Sequence, residues 1–266
     1  MAKEFDREFG ERKLAMGTSS SSKGGRGRNP LVPEWADDKP GAPIPASDPN
    51  RYRSFRSSFG EYLSGGGRSS LEKSLGKFAS QATGGANIGP RRLGKVISSG
   101  GSFGETLQAV AEGKVVNGLD ANRYAGKTVD QFAQAIGELV SGDSPDADSI
   151  NCAVQEAIEK VLDLDADFDP SSLTEDNIAQ ILIEYLAQSI FQLVVNEAGN
   201  SWNRSDDIEN TVRCETELLD LTREHVEQSF TAQVQQAGIN LGSTAVERYM
   251  RNAAQHVWLT WERFDD

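Results

Sequence analysis

Residues 172–194 read SLTEDNIAQILIEYLAQSIFQLV, and this stretch decides the fold class. Ile178, Ile181, Leu182, Tyr185, Leu186, Ile190, Leu193 and Val194 recur at spacings of three and four, the period that gathers side chains on one face of an α-helix. Ser172, followed three residues later by Glu175, makes a capping-box pattern. It marks the start of a helix of about 22 residues.

The same period extends to both sides. Upstream, residues 149–162 carry Ile150, Ala153, Val154, Ala157, Ile158, Val161 and Leu162 in register. Residues 128–140, TVDQFAQAIGELV, do the same with Val129, Phe132, Ala133, Ile136, Leu139 and Val140, and Thr128 is a suitable N-cap. Downstream, a helix near 206–235 opens on acidic residues that suit the positive end of a helix dipole. A last helix over 244–264 has Thr244 and Glu247 as a second capping box and ends in Val257, Trp258, Trp261 and Phe264. No stretch sustains the alternation of a strand. Residues 107–266 therefore predict an acidic, all-α domain, a helical bundle of about five helices.

The periodicity weakens towards the N-terminus. Residues 51–63, RYRSFRSSFGEYL, put Tyr52, Phe55, Phe59 and Leu63 on one face of a short helix opposite an arginine face, a combination that can dock. Residues 64–104 are rich in Gly and Ser, with one amphipathic piece, SLEKSLGKFA, at 70–79. Over 64–104 the expectation is short helices broken at glycines rather than a packed core, with glycine meaning flexibility, and 51–106 as a whole reads as a Gly-rich region with short amphipathic helices. Residues 1–50 read as a long disordered Gly/Ser/Pro-rich arm. GTSSSSKGG has high backbone entropy and no burial to offset it, and Pro33, Pro40, Pro43, Pro45 and Pro49 oppose regular hydrogen bonding. Residues 1–15 carry dense mixed charge, and Met16-Gly17 has the form of a protein start, which would make 1–15 an upstream extension.

The formal charge of -13 conceals an asymmetry. Residues 1–100 hold seventeen basic against ten acidic side chains, the remainder ten against thirty, so a basic front adjoins an acidic back. The front lacks the organised pattern of an RNA-recognition or helix-turn-helix domain, and the back repels phosphate, so nucleic acid is not the expected partner. Cys152 and Cys214 are far apart in sequence and predict neither a disulfide framework nor a thiolate metal site. No apolar run approaches the roughly 20 residues that span a bilayer, and the N-terminus is charged where a signal peptide is apolar. A cytoplasmic protein without membrane attachment is expected.

Catalytic chemistry finds few candidates. The only histidines, His225 in TREHVEQ and His256 in AAQHVWL, lie on predicted helices, and neither has a second ligand at helical spacing. Asp163, Asp165, Asp167 and Asp169 alternate in DLDADFDP, but Pro170 follows where a calcium loop needs its turn glycine and closing glutamate, so this is a solvated acidic loop between helices. The glycine clusters match no phosphate cradle. The chain reads as a non-enzyme with no cofactor, no metal and no catalytic residue.

The arm is then the place to look for function. With the initiator methionine removed from Met16, Gly17 offers a free α-amine, of which roughly a tenth is neutral and nucleophilic at pH 7. MGTSSS also fits the loose N-myristoylation pattern, and a plain Ser/Gly linker is a third reading.

MGTSSSS at 16–22, PLVPEWADD at 30–38, RYRSFRSSFGEYLSGG at 51–66, SLEKSLGKFA at 70–79, a glycine-rich stretch holding Arg91 and Arg92, and an acidic helical half follow in order. Together they resemble the QatB component of bacterial Qat anti-phage defence systems. The resemblance implies an operon with an ATPase, a TatD-like nuclease and a QueC-like enzyme of the QatC type, the last conjugating a deazaguanine base to the N-terminal glycine of its helical partner. In this sequence that glycine is Gly17. Docking points for the partner would be Pro33 and Trp35, with Arg51, Arg53 and Arg56 facing acidic or phosphate groups while Tyr52, Phe55 and Phe59 pack. The alternatives are an unmodified adaptor that recruits the ATPase or nuclease, and aromatics that fold back onto the chain's own bundle.

Overall fold

The computed structural model describes residues 30–265 apart from 144, 164–165 and 205–207. Gly17 and the rest of the arm before Pro30 lie outside the described residues.

Eight α-helices are present among the described residues, with no strand: α1 Tyr52–Leu63, α2 Arg68–Lys77, α3 Gly94–Ala111, α4 Val129–Ser141, α5 Ala147–Val161, α6 Glu175–Ala198, α7 Ile208–Ala237 and α8 Ser243–Glu262. The last five match the helices read from the 3.6-residue period. The stretch that decided the fold class is α6, and it is more central than a one-faced helix. Ile178, Ile181, Leu182, Ile183, Glu184, Tyr185, Leu186 and Ala187 are all buried, because α3, α5 and α7 pack around it and α1 reaches its end. The segment Glu175–Trp202 is long and apolar enough to cross a membrane by length and composition, a correction to the expectation that no such run exists. Yet 72% of its most apolar window is buried inside the fold. Its apolarity serves this core.

The helix starts need two corrections. Thr174, not Ser172, caps α6, its hydroxyl accepting from Asn177 N at 3.2 Å. Ser172 instead closes the 3-10 turn Pro170–Ser172, so the chain enters helical geometry two residues later than the box implied. The α8 N-cap is Gly242, without a side-chain cap, and Thr244 lies inside the helix. Thr128 does cap α4. The acidic loop before α6 is pinned from within: Phe168 stacks on Phe132 at 3.8 Å between centroids, and Phe168 N donates to Lys127 O at 2.7 Å.

The largest departure concerns residues 64–104, which form packed core rather than loosely broken helices. Phe55, Phe59, Leu71, Leu75, Phe78, Phe103 and Leu107 all belong to the same hydrophobic core as Trp258 and Trp261, and a boundary at 106/107 falls inside α3. A chain of aromatic contacts joins the two ends of the sequence: Phe55 to Phe78 at 5.1 Å, Phe78 to Trp258 at 5.9 Å, and Trp258 to Trp261 at 5.8 Å. The helical glycines serve close approach. A Cβ on Gly100 would stand 2.3 Å from Met250 Sδ, and one on Gly101 2.7 Å from Ser243 Oγ, so α3 runs unbroken while its glycine face lets α8 come near.

Candidate functional site

Residues 30–50, expected as part of the disordered arm, are laid across the helical body. Their prolines do rule out a ladder of their own. Order comes instead from buried cations on the body that take up the segment's carboxylates and carbonyls.

Arg91, on the 3-10 turn Gly89–Leu93 that leads into α3, is the hub. Its Nε and Nη2 donate to the two oxygens of Asp37 at 2.9 and 2.7 Å, in the bidentate geometry that suits a guanidinium. Nη2 also donates to Lys39 O and Ala42 O, at 2.9 and 3.0 Å, and Nη1 to Pro43 O at 3.1 Å. Both partners of the ion pair are 5% exposed, so the charges are matched in a site closed to water. The Arg91 guanidinium holds the Asp37 carboxyl below the usual carboxylate range, against the opposing effect of burial. Next along, Arg251 of α8 grips Asp38 with Nε at 2.6 Å and Nη2 at 2.8 Å. Leu31, Val32 and Ala36 are buried beneath the segment. The backbone fits so closely over α3 that a Cβ on Gly94 would lie 2.6 Å from both Ala36 O and Asp38 N.

The start of the described chain is held by a second cluster. Arg51 Nη2 donates to Pro30 O at 3.1 Å, and Arg92 Nη1 to Leu31 O at 2.9 Å. Arg92 also donates to Tyr52 OH at 2.9 Å and pairs with Glu197 at the C-terminal end of α6, both charges nearly inaccessible. The Tyr52 ring lies between two guanidiniums, Arg51 at 4.7 Å and Arg56 at 5.1 Å from its centroid, and Arg56 Nε donates to Glu197 O at 2.7 Å. Burial raises the Tyr52 phenol above its ordinary value. Residues 30–43 thus form a clasp held across the helical body.

The sequence-derived docking residues divide accordingly. Trp35, on the 3-10 turn Glu34–Ala36, is 44% exposed, whereas Trp202, Trp258 and Trp261 are buried; it is the exposed aromatic among the described residues. Pro33 is half-buried beside it, and Arg53 is exposed with no partner among the described residues. Arg51, Tyr52 and Arg56 are engaged in the clasp. Phe55 and Phe59 are fully buried. This corrects their assignment as docking residues, because the helix that carries them needs their face for its own core. The residues that sequence reading left without a role, Asp37, Asp38, Arg251 and Gly94, complete the clasp. The adjacent DD and RR pairs were visible, but nothing local says which charge meets which.

His225 is buried, its Nδ1 accepting from Trp261 Nε1 at 3.1 Å, and His256 Nε2 lies 3.3 Å from Gln228 Oε1. Cys152 and Cys214 are not joined by a disulfide. Asp146, before α5, has its carboxyl pushed up to about 6 by burial, with Arg92 opposing. Among the described residues no group of three or more His, Cys, Asp or Glu side chains is arranged to hold a metal ion.

A comparison with protein families matches residues 84–261 to the family described as "Qat anti-phage system associated protein QatB". The matched span runs from just before the Arg91 turn to Trp261, and so covers α3 to α8 with Arg91 and Arg92, but not the motifs between residues 16 and 79. Comparisons with curated proteins and with solved structures gave no match. The span exceeds half of the chain, and the protein belongs to the QatB family, the associated proteins of the Qat anti-phage defence system.

Proposed function

We propose that this chain is a non-catalytic, cytoplasmic component of the defence system, acting as protein partner and substrate of a QueC-like enzyme of the QatC type. In the form that begins at Met16, the enzyme attaches a deazaguanine base to the amine of Gly17. The observation that carries the reading is the clasp: an arm whose root is held by Arg91, Arg92 and Arg251 delivers its tip from a fixed point. Thirteen residue-to-residue steps lead from Gly17 to Pro30, an extended span of at most about 45 Å. Trp35 stands on the clasp itself, so a partner that seats the indole is held within reach of the amine.

The test is intact mass of the chain expressed from Met16 together with its operon partners. A nucleobase-sized increment localised to Gly17 is the expected result, and an unmodified N-terminus from cells under phage challenge refutes it. Deleting residues 17–29 separates substrate from adaptor. An adaptor recruiting the ATPase or the TatD-like nuclease keeps its partners and its protection, whereas the substrate loses protection.

A further inference from the structure

Beside the clasp, a groove runs between α1 and the end of α2, lined by Asn50, Arg53, Ser54, Ser57, Ser58 and Lys77, with Glu61 at one end. Its lining is rich in hydrogen-bond donors. Some hydroxyls elsewhere are closed off against the carbonyl four residues back, as for Ser80, Ser189, Thr216 and Thr222. Ser54, Ser57 and Ser58, three hydroxyls on neighbouring turns of α1, make no such bond. Ser58 is only 3% exposed, and its oxygen accepts from Lys77 Nζ at 2.7 Å. Its own hydrogen has no acceptor among the described residues, a costly state for a buried donor. The Arg53 guanidinium and the Asn50 side-chain amide, both exposed, and the two remaining Lys77 hydrogens have no protein acceptor among the described residues. Donors therefore converge on the groove, and the one carboxylate on its lining is Glu61.

A ligand matching this set is rich in acceptor oxygens and negatively charged. We propose that the α1–α2 groove is a binding site for phosphate groups, with Arg53 and Lys77 supplying the charge and Ser54, Ser57 and Ser58 the hydroxyl donors. Guanidinium and ammonium reach phosphate oxygens as charge-assisted donors, and hydroxyls on successive helical turns give the groove a direction along which adjacent phosphates bind. The groove is open to solvent on one side, so a mononucleotide or pyrophosphate and a stretch of phosphodiester backbone both present the required chemistry. The site stands independently of the modification at Gly17.

The experiment titrates the full chain, at low salt, with inorganic pyrophosphate and separately with a short single-stranded oligonucleotide. Binding is followed by calorimetry and, for pyrophosphate, by its ³¹P resonance. Arg53→Gln combined with Lys77→Gln is compared with Arg68→Gln, an exposed arginine outside the groove that pairs with Glu72. The double variant loses two charge-assisted donors and is expected to bind at least about tenfold more weakly, with Arg68→Gln as wild type. Saturable binding of pyrophosphate, lost in the double variant, supports the site with a small phosphorylated ligand. Binding of the oligonucleotide alone, lost in the same variant, supports it with a nucleic-acid backbone. No binding of either, or equal losses in the groove and control variants, overturns it. Should the double variant melt early, Arg53→Gln alone decides the matter, since that side chain supports nothing else.

Discussion

Gly94→Ala places a methyl group where the clasp backbone already is. The new Cβ would meet Ala36 O and Asp38 N at 2.6 Å, and ordinary contact begins near 3.4 Å. The clasp must therefore lift by about 0.8 Å, since both clashing atoms are backbone and cannot rotate away. That displacement is as large as the whole tolerance of the Arg91–Asp37 pair, whose bonds at 2.7–2.9 Å would stretch beyond 3.5 Å. Overpacking of this kind costs about 1–3 kcal/mol, while Ala in place of Gly returns up to about 1 kcal/mol to α3. The two fall on different structures: the clasp is loosened and the helix is not. Hydrogen exchange read by mass spectrometry should show amides in 30–43 exchanging about 30-fold faster, as a local loss of about 2 kcal/mol requires, with α5 and α6 unchanged. Gly67→Ala, which has open space around it and a negative φ, is the control. Unchanged exchange in 30–43, or acceleration spread evenly over the bundle, would refute the idea that the clasp is a separately anchored element.

Asp37→Asn leaves Arg91 buried without its counter-charge and is expected to destabilise the clasp by about 3–5 kcal/mol, seen as cleavage of residues 30–50 by a protease that spares the wild type. Gly100→Ala should lower stability by about 1–3 kcal/mol through its clash with Met250, and a denaturant double-mutant cycle with Met250→Ala should give a coupling above about 1 kcal/mol; additivity would contradict direct α3–α8 contact. His225 accepts from Trp261 at the atom a second proton would take, and burial lowers its pKa from 6.5, with Glu224 and Glu72 favouring the charged form and His256 and Arg68 opposing it. The folded state binds fewer protons than the unfolded one, so stability from this group is full above about pH 6.5 and falls as the pH drops below it. Asp146, raised to about 6, acts in the opposite sense, so the check is that the acid loss of melting temperature shrinks in His225→Gln. Trp35→Ala should change stability by no more than about 0.5 kcal/mol while weakening capture of the QueC-like enzyme; unaltered capture would remove the indole from the interface.

The bundle was legible wherever a helix buries one stripe, and α4 and α5 show why: each has apolar residues at every third or fourth position and a polar remainder. Gly100 shows where reading stops. A glycine in sequence is equally a hinge and a place of close approach, and only Met250, brought against it by the fold, distinguishes the two. Phe55 and Phe59 were seen as an aromatic face, but whether such a face turns to a partner or to Phe78 and Trp202 is a tertiary fact. The root of the arm was the least legible part. Its order rests on donors of Arg91 bonding to carbonyls that every residue possesses, so no side-chain pattern in 39–43 announces it.

The basic front, which in sequence is a single excess of charge, separates in three dimensions into two populations with different consequences. Arg91 and Arg92 are buried and matched by Asp37 and Glu197, and Arg251 of the acidic half meets Asp38 of the front. These cations do structural work and contribute little field outside the protein. Arg53 and Lys77 remain in a groove with unmatched hydroxyls, on a chain whose overall charge repels anions. An anion that binds there must therefore be held by local donor geometry rather than drawn in by long-range attraction. It follows that salt should weaken binding in the groove only modestly, whereas an interaction carried by the diffuse charge of Lys23, Arg26 and Arg28 in the arm should collapse with ionic strength. A salt titration of pyrophosphate binding in full-length chain and in a chain lacking residues 17–29 separates the two. A steep salt dependence that disappears with the arm would assign the anion to the arm and leave the groove empty.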